Sequence, residues 1–285
     1  MKTVSLSAYA KINLFLEVCE KRTDSYHNID SIMQSVTLRD VITVTENKEI
    51  KLSNDAGLPN DESNLCYKAA KAFFSHTGIT AGAEIRIKKN IPISAGLAGG
   101  SADAAAVLKA LNRIYEANLS VDTLCEIGAE LGADIPFCIR CGTFVTKGIG
   151  DIMIPCSPLP DCIIVIAKAG DGVSTPFAYG EIDRLREASE EEFKRSDTLA
   201  ETLKSGDLNQ SVKQFYNSFE KVVCPIRPKV EEQKKILIDN NALFAMMSGS
   251  GPSVFGIFDN ISDAENALDQ LKEYGSEVHL CRPYN

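Results

Sequence analysis

Histidine is scarce in this chain: His27, His76 and His279 are the only three, too few and too scattered for a multi-histidine metal site. No run of lysine and arginine is long enough to grip a nucleic-acid backbone, and 30 basic residues against 39 acidic ones leave a net charge of -9. No uninterrupted apolar stretch approaches bilayer length, and Met1 to Ser7 enters alternating sequence without an apolar leader. Neither nucleic acid nor membrane is expected as a partner. The nine cysteines are odd in number and scattered, which favours reduced thiols in a cytoplasm over a disulfide framework. Cys138-Ile139-Arg140-Cys141 is an isolated pair. A zinc knuckle needs a second pair, and Cys156 and Cys162 are poorly placed to supply it.

What is present is an ordinary globular composition, 44% apolar and 24% charged over 285 residues, enough for one large or two smaller domains. Strands dominate the first portion. Ser5 to Cys19 reads as a strand or a strand pair, with Ile12, Leu14, Leu16 and Val18 on one face and Lys11, Asn13 and Phe15 on the other. Ile29 to Val44 resumes strand character, interrupted by a turn-like Arg39-Asp40. Ser63 or Asn64 caps a helix that stops before Gly78, and Ser120 caps another. Phe137 to Thr146 and Asp161 to Lys168 read as strands. A charged helical region runs from Phe177 to about Leu203, and Leu208 to Val223 reads as one further helix. Ala242 to Met247 and Val254 to Phe258 are strands, Ser262 to Tyr274 a helix, and Glu277 to Cys281 a closing strand. Prolines from Pro155 to Pro160 break the periodicity, placing a junction between domains 1–156 and 157–285. This order argues for two α+β domains rather than a doubly wound parallel sheet.

The stretch from Lys89 to Ala106 stands out. A strand ends at Pro92, the chain passes three glycines (Gly96, Gly99, Gly100), and an alanine-rich helix follows. Glycine lets a ligand approach the main chain, and a helix N-terminus offers free N–H groups and a positive dipole end. Together they describe a phosphate cradle, although the spacing is neither the Walker nor the Rossmann pattern. Ser101 can offer its hydroxyl to a phosphate or to magnesium, and Asp103 reads as a dipole partner in the first helical turn and a stabiliser of the loop.

Other positions admit two readings. Lys11 is either solvated decoration or a fixed positive charge on a rigid strand. Asp134, just before Ile135-Pro136, is either a turn aspartate bonded to nearby N–H groups or a carboxylate able to deprotonate a hydroxyl. Tyr26 and His27 either stack on a base or cover a core edge. Ser248 to Pro252 is either a tight hairpin or the wall of a cleft.

These residues resemble the GHMP kinases, and among them the branch acting on 4-diphosphocytidyl-2-C-methyl-D-erythritol. The likeness is carried by Ala10-Lys11-Ile12-Asn13-Leu14, Asp24-Ser25-Tyr26-His27, Asn64-Leu65 and Ile91-Pro92 through Ala105. It continues in Leu131-Gly132-Ala133-Asp134-Ile135-Pro136-Phe137, Asn217-Ser218-Phe219-Glu220 and Met247-Ser248-Gly249-Ser250-Gly251-Pro252. The resemblance implies a two-domain α+β fold, with a ribosomal-protein-S5-like domain followed by a ferredoxin-like one. It also implies ATP and Mg2+ as cofactors, a small-molecule substrate carrying a cytidine diphosphate group, and a monomer or weak homodimer. Phosphorylation of that substrate's 2-hydroxyl would use Lys11 and Asp134. ATP would meet Pro92, Ser94, Ala95, Gly96, Leu97, Ala98, Gly99, Gly100 and Ser101, with Asn64 and Lys89 near the adenine. The alcohol would meet Asn13, Tyr26, His27, Asp134 and Tyr179, with Phe177 as the alternative to Tyr179. No direct metal ligand is implied. Two positions depart from the family pattern: Ser25 replaces a glycine, which puts strain on any turn needing positive φ there, and Ala102 replaces a serine. The rivals are a homoserine or mevalonate kinase of the same superfamily, or a nucleotide-binding protein without transfer activity.

Overall fold

The computed structural model describes residues 1–168, 170–187 and 192–285. Two long strands lead, β1 (Thr3–Lys21) and β2 (His27–Asn47), followed by β3 (Lys51–Asn54), α1 (Leu65–Thr77) and β4 (Gly82–Lys88). Next come α2 (Gly99–Ile114), α3 (Val121–Ala129), α4 (Ile135–Arg140), β5 (Thr143–Lys147), β6 (Ile152–Pro155) and β7 (Ile163–Lys168). The helices α5 (Thr175–Glu187), α6 (Asp197–Ser205) and α7 (Leu208–Val212) precede β8 (Tyr216–Asn217), α8 (Glu220–Ile226) and α9 (Pro228–Asp239). The chain closes with β9 (Phe244–Met247), β10 (Val254–Phe258), α10 (Ile261–Glu273) and β11 (Glu277–Cys281).

These elements form two compact units, neither of them one continuous stretch. The first comprises residues 1–10, 38–93 and 98–141; the second comprises 11–37, 94–97 and 142–285. β1 and β2 each pass from one unit to the other.

In the first unit β4 pairs antiparallel with the second half of β2, and β3 runs parallel to β4. Helix α2 is buried almost all round, from Ala102 through Leu108 and again at Ala110, Leu111 and Ile114, as expected of a helix with apolar residues on every face. The capping predicted for α1 holds. Asn64 accepts from the Cys66 N–H, and Gly78 ends the helix in the left-handed region. Ser120 likewise caps α3.

In the second unit β5 pairs with the first half of β2, β6 with β5, and β8 runs parallel to β1. A separate antiparallel sheet has the order β11-β7-β10-β9. Its core includes Val165, Phe258, Ala264 and Leu271, and Leu16, Val18, Phe219 and Val223 pack with it. The last residues bond back to the early chain. Gln34 Nε2 donates to the Tyr284 carbonyl at 3.1 Å, Thr37 N to Arg282 at 2.9 Å, and Tyr284 N to Ser35 at 2.8 Å.

Four expectations about elements are corrected. Arg39-Asp40 is no turn: β2 runs straight through it, and Asp40 is a wholly buried strand residue. Phe137 to Arg140 belongs to α4 rather than to a strand; five consecutive buried residues show neither period, and Pro136 is tolerated in a first helical turn. Leu208 to Val223 divides into α7, β8 and α8. The charged region from Phe177 to Leu203 holds two helices, α5 and α6, and its residues 188–191 lie outside the described residues.

Between β1 and β2 the chain turns at residues 22–26. Arg22 N donates to the Tyr26 carbonyl at 2.7 Å, and Tyr26 N to Asp24 Oδ1 at 3.1 Å. Ser25 sits at φ +70°, the strained turn expected where a glycine is replaced. A non-glycine residue there costs on the order of 1–2 kcal/mol, part of which is returned by its smaller loss of chain entropy. We predict that Ser25→Gly raises the urea midpoint at constant m-value, corresponding to a gain of about 1 kcal/mol. An unchanged or lower midpoint refutes the strain.

Candidate active site

Polar side chains of the second unit are held on β1, on β2 and in two glycine turns. Every residue of β1 from Ala10 to Val18 is buried, on both faces, so Lys11 at 5% exposure is not solvated decoration. Its Nζ donates to Asn13 Oδ1 at 2.6 Å. Asn13 Nδ2 donates to Ser31 Oγ at 3.0 Å, and Ser31 Oγ donates to the Phe15 carbonyl at 2.6 Å. The relay fixes which way the Asn13 amide faces and thereby orients the ammonium.

Lys11 N also donates to the Leu97 carbonyl at 3.1 Å, anchoring the glycine loop to β1. The turn between β9 and β10 meets the same loop: Ser248 Oγ donates to the Gly96 carbonyl at 3.1 Å. A Cβ on Gly96 would stand 2.2 Å from the Ser248 carbonyl oxygen, and one on Gly249 would stand 3.5 Å from Lys11 Nζ. Ser248 to Pro252 does join two paired strands, as the bland hairpin reading held, and it also packs on the loop. Asn217 holds this turn, its Nδ2 donating to the Met247 and Gly249 carbonyls at 2.8 Å each.

The loop backbone itself alternates. Ser94, Gly96 and Ala98 have φ of +52°, +73° and +57°, while Ala95 and Leu97 do not share that sign. Such alternation turns successive N–H groups toward one side and makes a concavity suited to anions. Ala98, at the N-cap of α2, has no side chain with which to cap it. The first N–H groups of a helix have no intrahelical partner, so those of Gly99, Gly100 and Ser101 are left for a ligand.

A third set surrounds His27, which is buried. Its Nε2 is 2.7 Å from Asp183 Oδ1, and Lys21 Nζ donates to Asp183 Oδ2 at 2.7 Å. Tyr179 stacks on the imidazole at 4.9 Å and 23°. Tyr179 and Asp183 are four residues apart on α5, hence on one face. Tyr26, next to His27 in the chain, is 62% exposed. Phe177, the alternative to Tyr179, is exposed on the same helix. Burial alone would raise the Asp183 carboxyl, but the bonds from Lys21 and His27 outweigh it and hold it below the ordinary range.

In the first unit, Asp134 is the N-cap of α4, half-buried, yet its carboxylate makes no capping bond. The turn-aspartate reading therefore fails, and the carboxylate is left uncommitted by the cap. Asn64 is occupied by its cap and by a bond from its Nδ2 to the Pro59 carbonyl at 2.8 Å. Pro92 is buried. Asp103 is not a first-turn dipole partner. It lies one turn further in, where its Oδ2 accepts from Lys89 Nζ at 2.8 Å, and Lys89 also bonds Asp40. Burial pushes the Asp103 carboxyl up to about 8, with the Asp40 carboxylate adding to the effect against the pull of Lys89. Burial would lower Lys89, but the Asp103 and Asp40 carboxylates outweigh it and hold the lysine above its ordinary value.

Reading the sequence did not single out Asp40, Ser31, Asp183 or Asn217 as working residues. Only Asn217 lay in a stretch already marked by resemblance. Among the described residues no group of three or more His, Cys, Asp or Glu side chains could hold a metal, and no helix is long and apolar enough to cross a membrane. None of the nine cysteines, all among the described residues, is in a disulfide.

Comparison with known proteins agrees with this geometry. Residues 64–142 match the GHMP kinases N-terminal domain and residues 181–277 the GHMP kinases C-terminal domain. The chain is 40% identical over 288 residues to a 4-diphosphocytidyl-2-C-methyl-D-erythritol kinase of Alkaliphilus metalliredigens, covering 100% of this chain and 98% of the relative. It is 42% identical over 280 residues to a kinase of the same name from Caldicellulosiruptor bescii, covering 97% of each. A crystal structure of 4-(cytidine 5'-diphospho)-2C-methyl-D-erythritol kinase superposes with a TM-score of 0.82 at 28% identity, over 99% of this chain and 100% of that one. The L. major mevalonate kinase, at TM-score 0.79 but 17% identity over 99% and 96% of the two chains, shares the fold alone. The two α+β domains are those of a GHMP kinase, a nucleotide-using phosphotransferase. Within that class the chain belongs to the 4-diphosphocytidyl-2-C-methyl-D-erythritol kinase family.

Gly96→Ala forces a methyl group against the Ser248 carbonyl at a φ that favours glycine; we expect nucleotide binding to weaken at least about tenfold, as when a well-placed bond to a charged group is lost. Calorimetric titration with ADP checks this, and wild-type affinity would refute it. Because Asp183 is held below its unfolded value, its contribution to stability is present above about pH 4 and is lost as pH falls through the depressed value. Asp183→Asn should therefore lower the urea midpoint at pH 7, with the gap to wild type closing in strong acid. A gap independent of pH contradicts the assignment.

Proposed function

We propose that the chain transfers the γ-phosphoryl group of ATP to the 2-hydroxyl of 4-diphosphocytidyl-2-C-methyl-D-erythritol, giving the 2-phosphate and ADP in the supply of isoprenoid precursors. The observation that carries this reading is the end-to-end match, at 40% identity, to a kinase named for that substrate. The uncommitted carboxylate of Asp134, the oriented ammonium of Lys11 and the loop of alternating φ support it.

The accepting hydroxyl is tertiary and crowded, with a high pKa in water. Asp134 orients it and takes its proton as the oxygen attacks phosphorus. Lys11 stabilises the negative charge that develops, from a position already fixed by Asn13 and Ser31, so that little reorganisation accompanies the reaction. N–H groups of the loop from Ser94 to Ala98, and of Gly99, Gly100 and Ser101, receive the triphosphate. Lys89 and Asn64 flank the adenine through whatever main-chain surface their committed side chains leave. His27, pinned by Asp183, and the rings of Tyr179 and Tyr26 recognise the cytidine, and Asn13 contacts the erythritol end. Magnesium suits this donor set, since it keeps several waters and binds largely through substrate phosphates; Ser101 would hold it, and when bound it neutralises phosphate charge. Homoserine and mevalonate require no base-recognising group, which leaves the His27 assembly unexplained for them.

The purified protein, mixed with ATP, magnesium and a panel of the diphosphocytidyl alcohol, mevalonate and homoserine, should show a phosphomonoester phosphorus signal only with the first. A signal with another alcohol, or with none, overturns the assignment. Asp134→Asn should keep both substrates bound while turnover falls by roughly 10²–10⁴, the range of general-base catalysis. Near-normal turnover would remove Asp134 from the role of base.

A further inference from the structure

Asp40, Lys89 and Asp103 come from three places in the sequence and meet in the interior of the first unit. The Lys89 side chain is 7% exposed, that of Asp40 0% and that of Asp103 3%. Lys89 lies just past the end of β4, at the approach to the glycine loop, and its Nζ bonds both carboxylates. Asp40 does more than pair with it: its Oδ1 accepts from Asn90 N at 2.5 Å and from Ile91 N at 2.8 Å. Asn90 adds a bond from its own Nδ2 to the Arg39 carbonyl at 3.0 Å. Residues 89–91 are thus stitched to β2 by both side chain and main chain. On the far side of the loop, Asp103 brings α2 to the same ammonium. The lysine lies close under the start of that helix, since a Cβ on Gly99 would stand 3.4 Å from Lys89 Nζ and 3.0 Å from Ile91 Cγ2.

A positive charge beneath the positive end of a helix dipole is unfavourable by itself. Two aspartate side chains accepting from one ammonium compensate for it, where a single partner would serve to satisfy the lysine. Burying so much charge is costly relative to an apolar cluster of the same volume. What the arrangement supplies instead is a fixed separation between the chain entering the loop and the helix leaving it.

We propose that Asp40 and Asp103 are positioning residues for the nucleotide: through Lys89 they clamp both ends of the glycine loop, so that its N–H groups face the phosphates without having to be ordered by them. This rests on the nucleotide-binding reading of the loop given above. Neither aspartate touches ATP. Their effect is on the preorganisation of the groups that do. Cutting the clamp leaves the loop composition intact and makes binding carry the cost of ordering it.

The test measures nucleotide and alcohol separately in the full-length protein. In Asp40→Asn an amide N–H₂ replaces the oxygen that faces Lys89, and the dissociation constant for ADP by calorimetry and KM for ATP should both rise roughly tenfold, the loss of one bond to a charged group. KM for the diphosphocytidyl alcohol should stay within about twofold, well inside one such bond. Should Asp40→Asn fail to fold, the pair at Asp103 decides. Asp103→Ala removes the acceptor and should weaken ADP similarly, while Asp103→Asn keeps an oxygen for Lys89 and should restore most of the affinity. Equal rises for both substrates, a loss of thermal stability with ADP affinity unchanged, or no recovery in Asp103→Asn would each mean a purely structural cluster and overturn the proposal. The ADP titration does not depend on turnover, so a wild-type protein that binds ADP but phosphorylates no diphosphocytidyl alcohol sinks the substrate assignment alone. A wild-type protein that does not bind ADP overturns the clamp.

Discussion

A charge removed from water must be met by other charges or by hydrogen bonds, because an unpaired buried ion costs several kcal/mol. Much of this molecule is arranged around that requirement. Lys11 finds Asn13, Lys89 finds two aspartates, and Asp40 finds two main-chain N–H groups besides. Glu17, on the same strand as Lys11, receives Arg186 at 2.6 Å and the Lys194 N–H at 3.0 Å, although burial still pushes its carboxyl up. Lys11 and Asn13 are neighbours on β1, but the other partnerships join segments distant in sequence. The polar interior therefore does structural work that apolar packing, which is indifferent to direction, would leave undone.

The glycine loop shows how such directional contacts combine with torsion. Positive φ at Ser94 and Ala98 is paid by residues that do not favour it, while Gly96 is needed for both its φ and its closeness to the Ser248 carbonyl. A non-glycine residue in that region persists where its surroundings over-determine it. Here those surroundings are the Lys11 N–H on the Leu97 carbonyl and the Ser248 hydroxyl on the Gly96 carbonyl. A phosphate site made of main-chain N–H groups tolerates changes of side chain, so the serine-to-alanine departure at Ala102, a buried helix residue, removes none of the loop's torsions.

Local signals were the legible ones. Asn64, Gly78 and Ser120 announce helix ends because capping depends on residues within four positions. The strain at Ser25 is readable through the resemblance, which puts a glycine at that turn position, and φ there is +70°. Non-local signals were not legible. Arg39-Asp40 looks like a turn because polar residues seldom interrupt a buried strand, and the donors that satisfy Asp40 lie fifty residues away, at Asn90. Helix α4 was hidden for another reason: a run buried at every position from Ile135 to Ile139 carries no period to distinguish helix from strand. Asp183 looked like one acid among many on a charged helix until folding set it against His27. The family resemblance names His27, Tyr179 and Asp134 as site residues, but not Asp183, which bonds His27.

The interleaving of the two units has a consequence for how the protein is made. Every residue of the first unit has been synthesised once Cys141 leaves the ribosome, whereas the second unit begins at Lys11 and includes the C-terminal residues. Gln34, Ser35 and Thr37 must wait for Arg282 and Tyr284 before their final hydrogen bonds can form. During elongation the buried strand residues between Lys11 and Thr37 thus lack much of their eventual cover, while every residue of the first unit is already present. A strand segment that waits uncovered for distant partners is open to wrong pairings during vectorial synthesis, and here that interval lasts until the residues near 282–284 are made.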